Sequence, residues 1–156
     1  MDYILGIGDS GIITEPGDRL ITHALASCVA VTFFSESPKL AAMIHIALPE
    51  PSLHTTPHPK SGYYASSGLP ELIRLLTECY GCQTQNLKVH LIGGASSVKK
   101  ADAFKVGEKN LHKIQKVLTH YGMNFNSDEV SGHVSRTVTI DLVASSMTIY
   151  SQPMVI

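Results

Sequence analysis

Short apolar runs separated by turn residues fill the first third of the chain. Residues 3–8 and 12–14 are brief and apolar, and Glu15-Pro16-Gly17-Asp18 reads as a turn leading into an extended 20–22. Residues 28–35 (Cys-Val-Ala-Val-Thr-Phe-Phe-Ser) are β-branched and aromatic, which predicts a buried strand. Residues 40–48 predict its returning partner, across a hairpin loop at 36–39 that holds Pro38. The period then changes. Leu69, Leu72, Ile73, Leu75, Leu76 and Cys79 recur at helical spacing, with Gly81 placed as a C-cap. Leu111, Ile114, Val117, Leu118 and Tyr121 repeat the pattern over 108–121, which stops at Gly122. Between the helices, 87–92 reads as a strand running into Gly93-Gly94. Strands at 123–125, 134–142 and 146–151 close the chain. In the second of these, Val138, Ile140 and Leu142 alternate with Thr139 and Asp141, predicting one wet face. The sum is an α+β domain spanning residues 1–156, with more strand than helix.

Composition narrows the function classes. Hydrophobic residues make up 44% and charged residues 16%, which excludes a disordered chain and a coiled coil. The formal net charge is −1, so the basic excess of a nucleic-acid binder is absent. The densest basic stretch, residues 99–109, also holds Asp102 and Glu108. The longest apolar run, near 41–48, contains His45 and falls far short of the roughly 20 residues of a spanning helix. The start of the chain carries Asp2 and no basic segment, and the chain has 3 cysteines, an odd number. Both point to a cytoplasmic protein with free thiols rather than a secreted disulfide scaffold.

Several motifs have plain structural readings. Gly6-Ile7-Gly8-Asp9-Ser10-Gly11 matches the dinucleotide fingerprint letter for letter. That fingerprint works only where the glycines open a helix, and Ile12-Ile13-Thr14 followed by Pro16-Gly17 predicts strand–turn–strand instead. Gly93-Gly94-Ala95-Ser96-Ser97 lacks the Gly-Lys-Ser/Thr of a phosphate loop and reads as a close-packed strand-to-helix connection. Cys79-Tyr80-Gly81-Cys82 sits at a helix C-terminus, where the helix dipole opposes a thiolate. A redox or zinc role for it, with His54 and His58 as further ligands, lacks any spacing that fixes a site. The loop at 49–62, with Pro49, Pro51, Pro57 and Pro59, reads as a surface loop.

Cys28 and His45 carry more chemistry. Pairing 28–35 with 40–48 sets residues whose numbers sum to about 75 opposite one another in an antiparallel ladder. Cys28 then faces positions 46–48, and a register shift or bulge of a couple of residues is expected to bring His45 beside it. A free thiol, with a pKa of about 8.5, is only a few per cent ionised at neutral pH, so a nucleophilic cysteine needs such a base to form an ion pair. The residues alone leave two readings open: a nucleophile with its base, or a core thiol and a satisfied strand histidine.

A resemblance enters here. Thr22-His23-Ala24-Leu25-Ala26-Ser27-Cys28-Val29-Ala30-Val31 is similar to the pattern Thr-x-Gly-Leu-Gly-Ser-Cys-Val-Ala-Val of the CheD family, and His45-Ile46-Ala47-Leu48-Pro49 to its His-x-x-Leu-Pro. Gly6-Ile7-Gly8, Tyr64-Ala65, Gly93-Gly94-Ala95-Ser96, Gly107 with Asn110, and Gly132 with Arg136 extend the likeness in order along nearly the whole chain. The resemblance implies a layered α/β sandwich with a mixed or antiparallel sheet and two main helices, of the cysteine-hydrolase deamidase type. It implies a protein-glutamine deamidase that acts on chemoreceptors in bacterial chemotaxis, with Cys28 as nucleophile, His45 as base and Thr22 orienting the imidazole. Ala26 and Ser27 would flank the oxyanion site. It implies no metal or organic cofactor, and a CheC-type phosphatase as partner. The chain departs from the pattern at Ala24 and Ala26, at Ser131 in place of the first of two late glycines, and at Ser66, where an acidic residue is usual near the Tyr-Ala. Alanine at a glycine position of positive φ would be strained and could displace the oxyanion amides. That motivates an alternative: a weak or inactive binding module that docks the phosphatase or receptor.

Overall fold

A computed structural model describes residues 1–97 and 104–154. The start of the mixed-charge stretch at 99–109 lies outside the described residues. Nine strands form two sheets among the described residues: β1 (Asp2–Ile4), β2 (Ser10–Ile13), β3 (Arg19–Leu25), β4 (Val29–Glu36), β5 (Lys39–Ile46), β6 (Lys88–Gly93), β7 (Asn126–Val130), β8 (Val134–Asp141) and β9 (Ser146–Pro153). One sheet runs β1-β3-β8-β9 and the other β2-β5-β4-β6-β7. Both are mixed: β1 lies parallel to β3 and β7 parallel to β6, while the remaining pairs are antiparallel. Helices α1 (Ala65–Arg74) and α2 (Val106–His120) follow the strands β5 and β6.

Side-chain alternation along β4 and β5 builds three layers. Val29, Val31, Phe33, Leu40, Ala42, Ile44 and Ile46 pack with Leu69, Leu72, Ile73 and Leu76 of the first helical segment and Leu111, Ile114 and Leu118 of α2. Ala30, Ala41 and Met43, from the other face, pack with Leu20, Leu25, Val138 and Ile140 of the four-stranded sheet. Both faces of β4 and β5 are therefore covered, which is why these strands read as near-continuous apolar runs. Each fully buried large aliphatic side chain contributes about 1.5–3 kcal/mol relative to exposure. The result is the layered sandwich expected: helices, five-stranded sheet, four-stranded sheet.

Three expectations are corrected. No strand forms at 123–125. Met123 is instead buried just past the end of α2, and its amide bonds the Leu118 carbonyl. The strand falls at the mostly exposed, polar Asn126–Val130, at the edge of its sheet, where no apolar alternation is required. The first helix starts at Ala65 rather than at 69, and its predicted second half, Leu75–Cys79, is a turn of π-helix. The first strand is the shorter Asp2–Ile4. The glycine-rich 6–11 segment is strand–turn–strand as expected, closed by Gly6 N–H donating to Asp9 Oδ2 and Asp9 N–H to Gly6 O.

Candidate active site

The β4–β5 register puts Cys28 and His45 on one face without any slip. Ala30 pairs with His45 and Val29 with Ile46, in an unbroken ladder from Val29 to the Glu36–Lys39 end. The expected sum of 75 holds, and the expected bulge between these strands is absent. Val29 faces the helices, so Cys28, one residue earlier, turns to the space between the sheets and packs on the inter-sheet core. Continuing the ladder by one residue sets it against Ala47 and diagonal to His45. Diagonal neighbours on an antiparallel sheet face are about 7–8 Å apart at the backbone and interact through longer side chains. Both polar groups of the His45 backbone are held by the Gly8–Asp9 segment, its N–H donating to Asp9 O (3.0 Å) and its carbonyl accepting from Gly8 N–H (2.8 Å).

Thr22 reaches the imidazole from the opposing sheet. Its Oγ1 lies 2.7 Å from His45 Nδ1 and 2.8 Å from the Leu5 carbonyl oxygen. A carbonyl only accepts, so the single hydroxyl proton of Thr22 goes to Leu5 O. The hydroxyl oxygen is then an acceptor for His45 Nδ1–H. This chain fixes the Nδ1–H tautomer and leaves the lone pair on Nε2. Nε2 is buried and has no hydrogen-bond partner among the described residues.

A β-bulge delivers Thr22 to this position. Thr22 pairs with Val138 and Leu25 with Arg136, so one strand advances three residues while the other advances two. Residues three apart on a regular strand face opposite sides. The inserted residue lets both Thr22 and Leu25 point into the core, where each is 0% exposed. The bulge requires Ala24 at φ +56°, in the left-handed region, and its N–H donates to Thr137 Oγ1 (3.2 Å). The alanine substitution therefore does fall on a positive-φ position. Ala26, the second, does not. Ser131, at φ +66°, is another strained departure.

The loop carrying Ala26, Ser27 and Cys28 is pinned by its carbonyls. Gly94 N–H donates to Cys28 O (3.0 Å), Ala95 N–H to Ala26 O (2.8 Å) and Asn110 Nδ2 to Ser27 O (2.9 Å). The approach explains the glycines: a Cβ at Gly93 would collide with the Cys28 carbonyl oxygen. The backbone amides of Ala26 and Ser27 donate no hydrogen bond among the described residues. The Cys28 amide favours the thiolate of its own side chain.

Burial dominates the electrostatics. It pushes the Cys28 thiol up, against the weaker pull of that amide, and pushes the His45 imidazole down, against the weaker attraction of Asp9. Asp9 is itself held below the usual carboxylate range by its hydrogen bond from Lys60 (2.7 Å). Both shifts favour the neutral thiol and the neutral imidazole. They weigh against the resting ion pair expected from the sequence, and Nε2 makes no hydrogen bond to sulfur among the described residues. Cys28 is partly accessible, as an approaching substrate requires.

The remaining thiols lie elsewhere. Cys79 is exposed and Cys82 buried, both free, at the end of the first helical segment. His58 stacks on Tyr63 (4.2 Å between ring centroids) and its N–H donates to Tyr64 Oη (2.8 Å). Among the described residues no group of three or more His, Cys, Asp or Glu could hold a metal ion. A cleft of about 710 Å³ runs along α2, between Pro49 and Lys116, and does not include Cys28 or His45. Two contributors to the site were not singled out from the sequence as such. Leu5 acts through its backbone carbonyl and leaves no sequence signal. Asn110 was legible only as a partner of Gly107 in the resemblance, with no role attached.

A family model described as CheD chemotactic sensory transduction matches residues 47–151. The chain is 38% identical over 142 residues, 89% of its length and 87% of the relative's, to a protein of Syntrophotalea carbinolica called probable chemoreceptor glutamine deamidase CheD. It is 31% identical to the chemoreceptor glutamine deamidase CheD of Bacillus licheniformis, over 93% of this chain and 87% of that one. It is 30% identical to a protein of Syntrophus aciditrophicus called probable chemoreceptor glutamine deamidase CheD 1, covering 96% and 94%. Among solved structures, YlmD from Geobacillus stearothermophilus shares the fold over 80% of this chain, with a TM-score of 0.52 and 14% identity. This chain spans 51% of that structure. The match of the family model over most of the chain, with relatives aligned along nearly its full length, shows that the chain belongs to the CheD family.

Proposed function

We propose that this protein is a chemoreceptor glutamine deamidase, the activity for which its relatives are named. Cys28 is the nucleophile, His45 the general base and acid, and Thr22 the group that orients the imidazole. The observation that carries the assignment is the hydrogen-bond chain Leu5 O, Thr22 Oγ1, His45 Nδ1, which leaves a buried lone pair at Nε2 on the sheet face shared with Cys28.

The steps balance without any further group. Nε2 takes the Cys28 proton as the sulfur attacks the carbon of a glutamine side-chain carboxamide. The carbonyl π pair moves to oxygen. Backbone amides of the 26–28 loop donate to that oxyanion, with Ser27 and Ala26 lining the approach. The C–N bond breaks, and the Nε2 proton leaves with the nitrogen as ammonia. A water then adds to the thioester, giving its proton to Nε2. The C–S bond breaks, and sulfur recovers the proton as glutamate departs. Throughout, Nδ1–H donates to Thr22 whether the ring is neutral or protonated, so no partner is lost during the cycle. The neutral resting pair places thiolate formation at the moment of attack.

The competing reading, a docking module without activity, rests on the strained Ala24. The bulge keeps its left-handed residue and both Thr22 and Leu25 stay buried, which favours the enzyme. Regulation by a CheC-type phosphatase and a cytoplasmic location complete the proposal. No helix among the described residues is long and apolar enough to cross a membrane. Incubation with a receptor cytoplasmic fragment, read as ammonia release and as Gln-to-Glu mass change, tests the activity. Binding of receptor or phosphatase with no turnover would favour the docking module.

A further inference from the structure

Asn110 stands where the β4–β5 ladder runs out. The last strand pair is Val29 with Ile46. One residue further out, Cys28 has no ladder partner to fix its distance from the His45 strand. Asn110 is 0% exposed, and its Nδ2 donates to Ser27 O (2.9 Å) and to Ala47 O (3.0 Å). These carbonyls belong to the residue before Cys28 and to the second residue after His45. The amide's two protons therefore replace the missing ladder and bind the two chains together just beyond their last pair.

The local sequence is built for this reach. A Cβ at Gly107 would lie 2.6 Å from Ala95 O and from Gly94 O, so only glycine lets the first turn of α2 sit on the 94–95 connection. Asn110 follows three residues later on the same face of the helix. The connection it packs on holds Cys28 O and Ala26 O through the amides of Gly94 and Ala95. The amide's two protons match two carbonyls, while its Oδ1 is buried without a hydrogen-bond partner among the described residues. The site offers two carbonyl acceptors at once, and a carboxylate would repel both. A hydroxyl satisfies only one.

We infer that Asn110 is a positioning residue of the site, an amide clamp that sets the separation of the Cys28 sulfur and His45 Nε2; its effect on turnover rests on the deamidase reading, its effect on thiol reactivity does not. Misplacement of reacting groups by about 1 Å costs on the order of a hundredfold in rate, so losing the clamp acts on kcat.

The experiment uses the full chain with Asn110→Ala, and with Asn110→Ser as the milder variant should Asn110→Ala fail to fold. Cys28 alkylation by iodoacetamide is followed at pH 7, with Cys79 and Cys82 replaced by serine and alanine, in wild-type and His45→Ala backgrounds. The clamp predicts a fall of about threefold or more in rate in the wild-type background and little change in the His45→Ala background, the coupling expected of groups that act together. An equal change in both backgrounds overturns it, as does loss of folding in both variants, which would assign Asn110 to the fold alone. Turnover on the receptor fragment should show kcat down about tenfold or more with KM within about threefold. Unchanged kcat in a folded variant also overturns the clamp. Should the unmodified protein show no turnover, the deamidase reading fails while the alkylation comparison still decides the clamp.

Discussion

Thr22 Oγ1 and His45 Nδ1 meet at 2.7 Å across the two sheets, and the Leu5 carbonyl dictates which of them donates. Replacing Thr22 by Val removes the acceptor for Nδ1–H and frees the ring to adopt the other tautomer. Turnover should fall about 10- to 100-fold, while Thr22→Ser, which keeps the hydroxyl, should stay within about threefold. The comparison of kcat for the two variants checks this. Equal losses would assign Thr22 to packing alone.

Acid should destabilise the protein through His45. Burial holds its pKa below the ordinary imidazole value of about 6.5, so the unfolded chain takes up the proton at a higher pH than the folded one. The stability gained by keeping the ring neutral is complete above about pH 6.5 and is lost as pH falls through the lower folded pKa. Urea midpoints measured from pH 7.5 to 5 should therefore drop further for wild type than for His45→Gln. His90, also lowered mainly by burial, contributes equally to both proteins and cancels in the comparison.

Thiol chemistry reports the resting protonation state. Burial raises Cys28 above the ordinary thiol range. Its alkylation rate should rise with pH in a single step lying above that of a free cysteine. A rate plateau near pH 6 would reveal a preformed thiolate–imidazolium pair and contradict the neutral resting site.

At Ala24 the expected change is a gain. Its φ of +56° costs an L-residue conformational strain that glycine does not bear. Set against glycine's larger unfolded-state entropy, Ala24→Gly should stabilise the fold by about 0.5–1 kcal/mol. Thermal or urea unfolding measures this, and a lower midpoint would show that the bulge tolerates alanine freely.

Pairing of Cys28 with the His45 strand was legible because a short hairpin fixes register by counting. Two apolar runs about Pro38 leave one arithmetic, and both faces of the strands are covered. The contribution of Thr22 was legible only through family resemblance. Its inward direction depends on a bulge that no periodicity announces, since Thr22 and Leu25 are three apart and both buried. Asn110 was legible only through the same resemblance, paired with Gly107. Its burial follows from Gly107, whose missing side chain matters only once the 94–95 connection lies beneath it. The misplaced strand at 123–125 has a similar cause. Met123 is apolar because it seals the end of α2, while the edge strand at Asn126–Val130 is polar because its pairing needs only backbone.

Deamidation itself is the central claim, and mass spectrometry of a receptor cytoplasmic fragment tests it most directly. Wild-type protein should convert specific glutamines to glutamate and release one ammonia for each. Cys28→Ala should leave every glutamine intact while retaining the wild-type unfolding midpoint to within about 1 kcal/mol of stability. Conversion by Cys28→Ala at the wild-type rate, or none by either protein, would contradict the account.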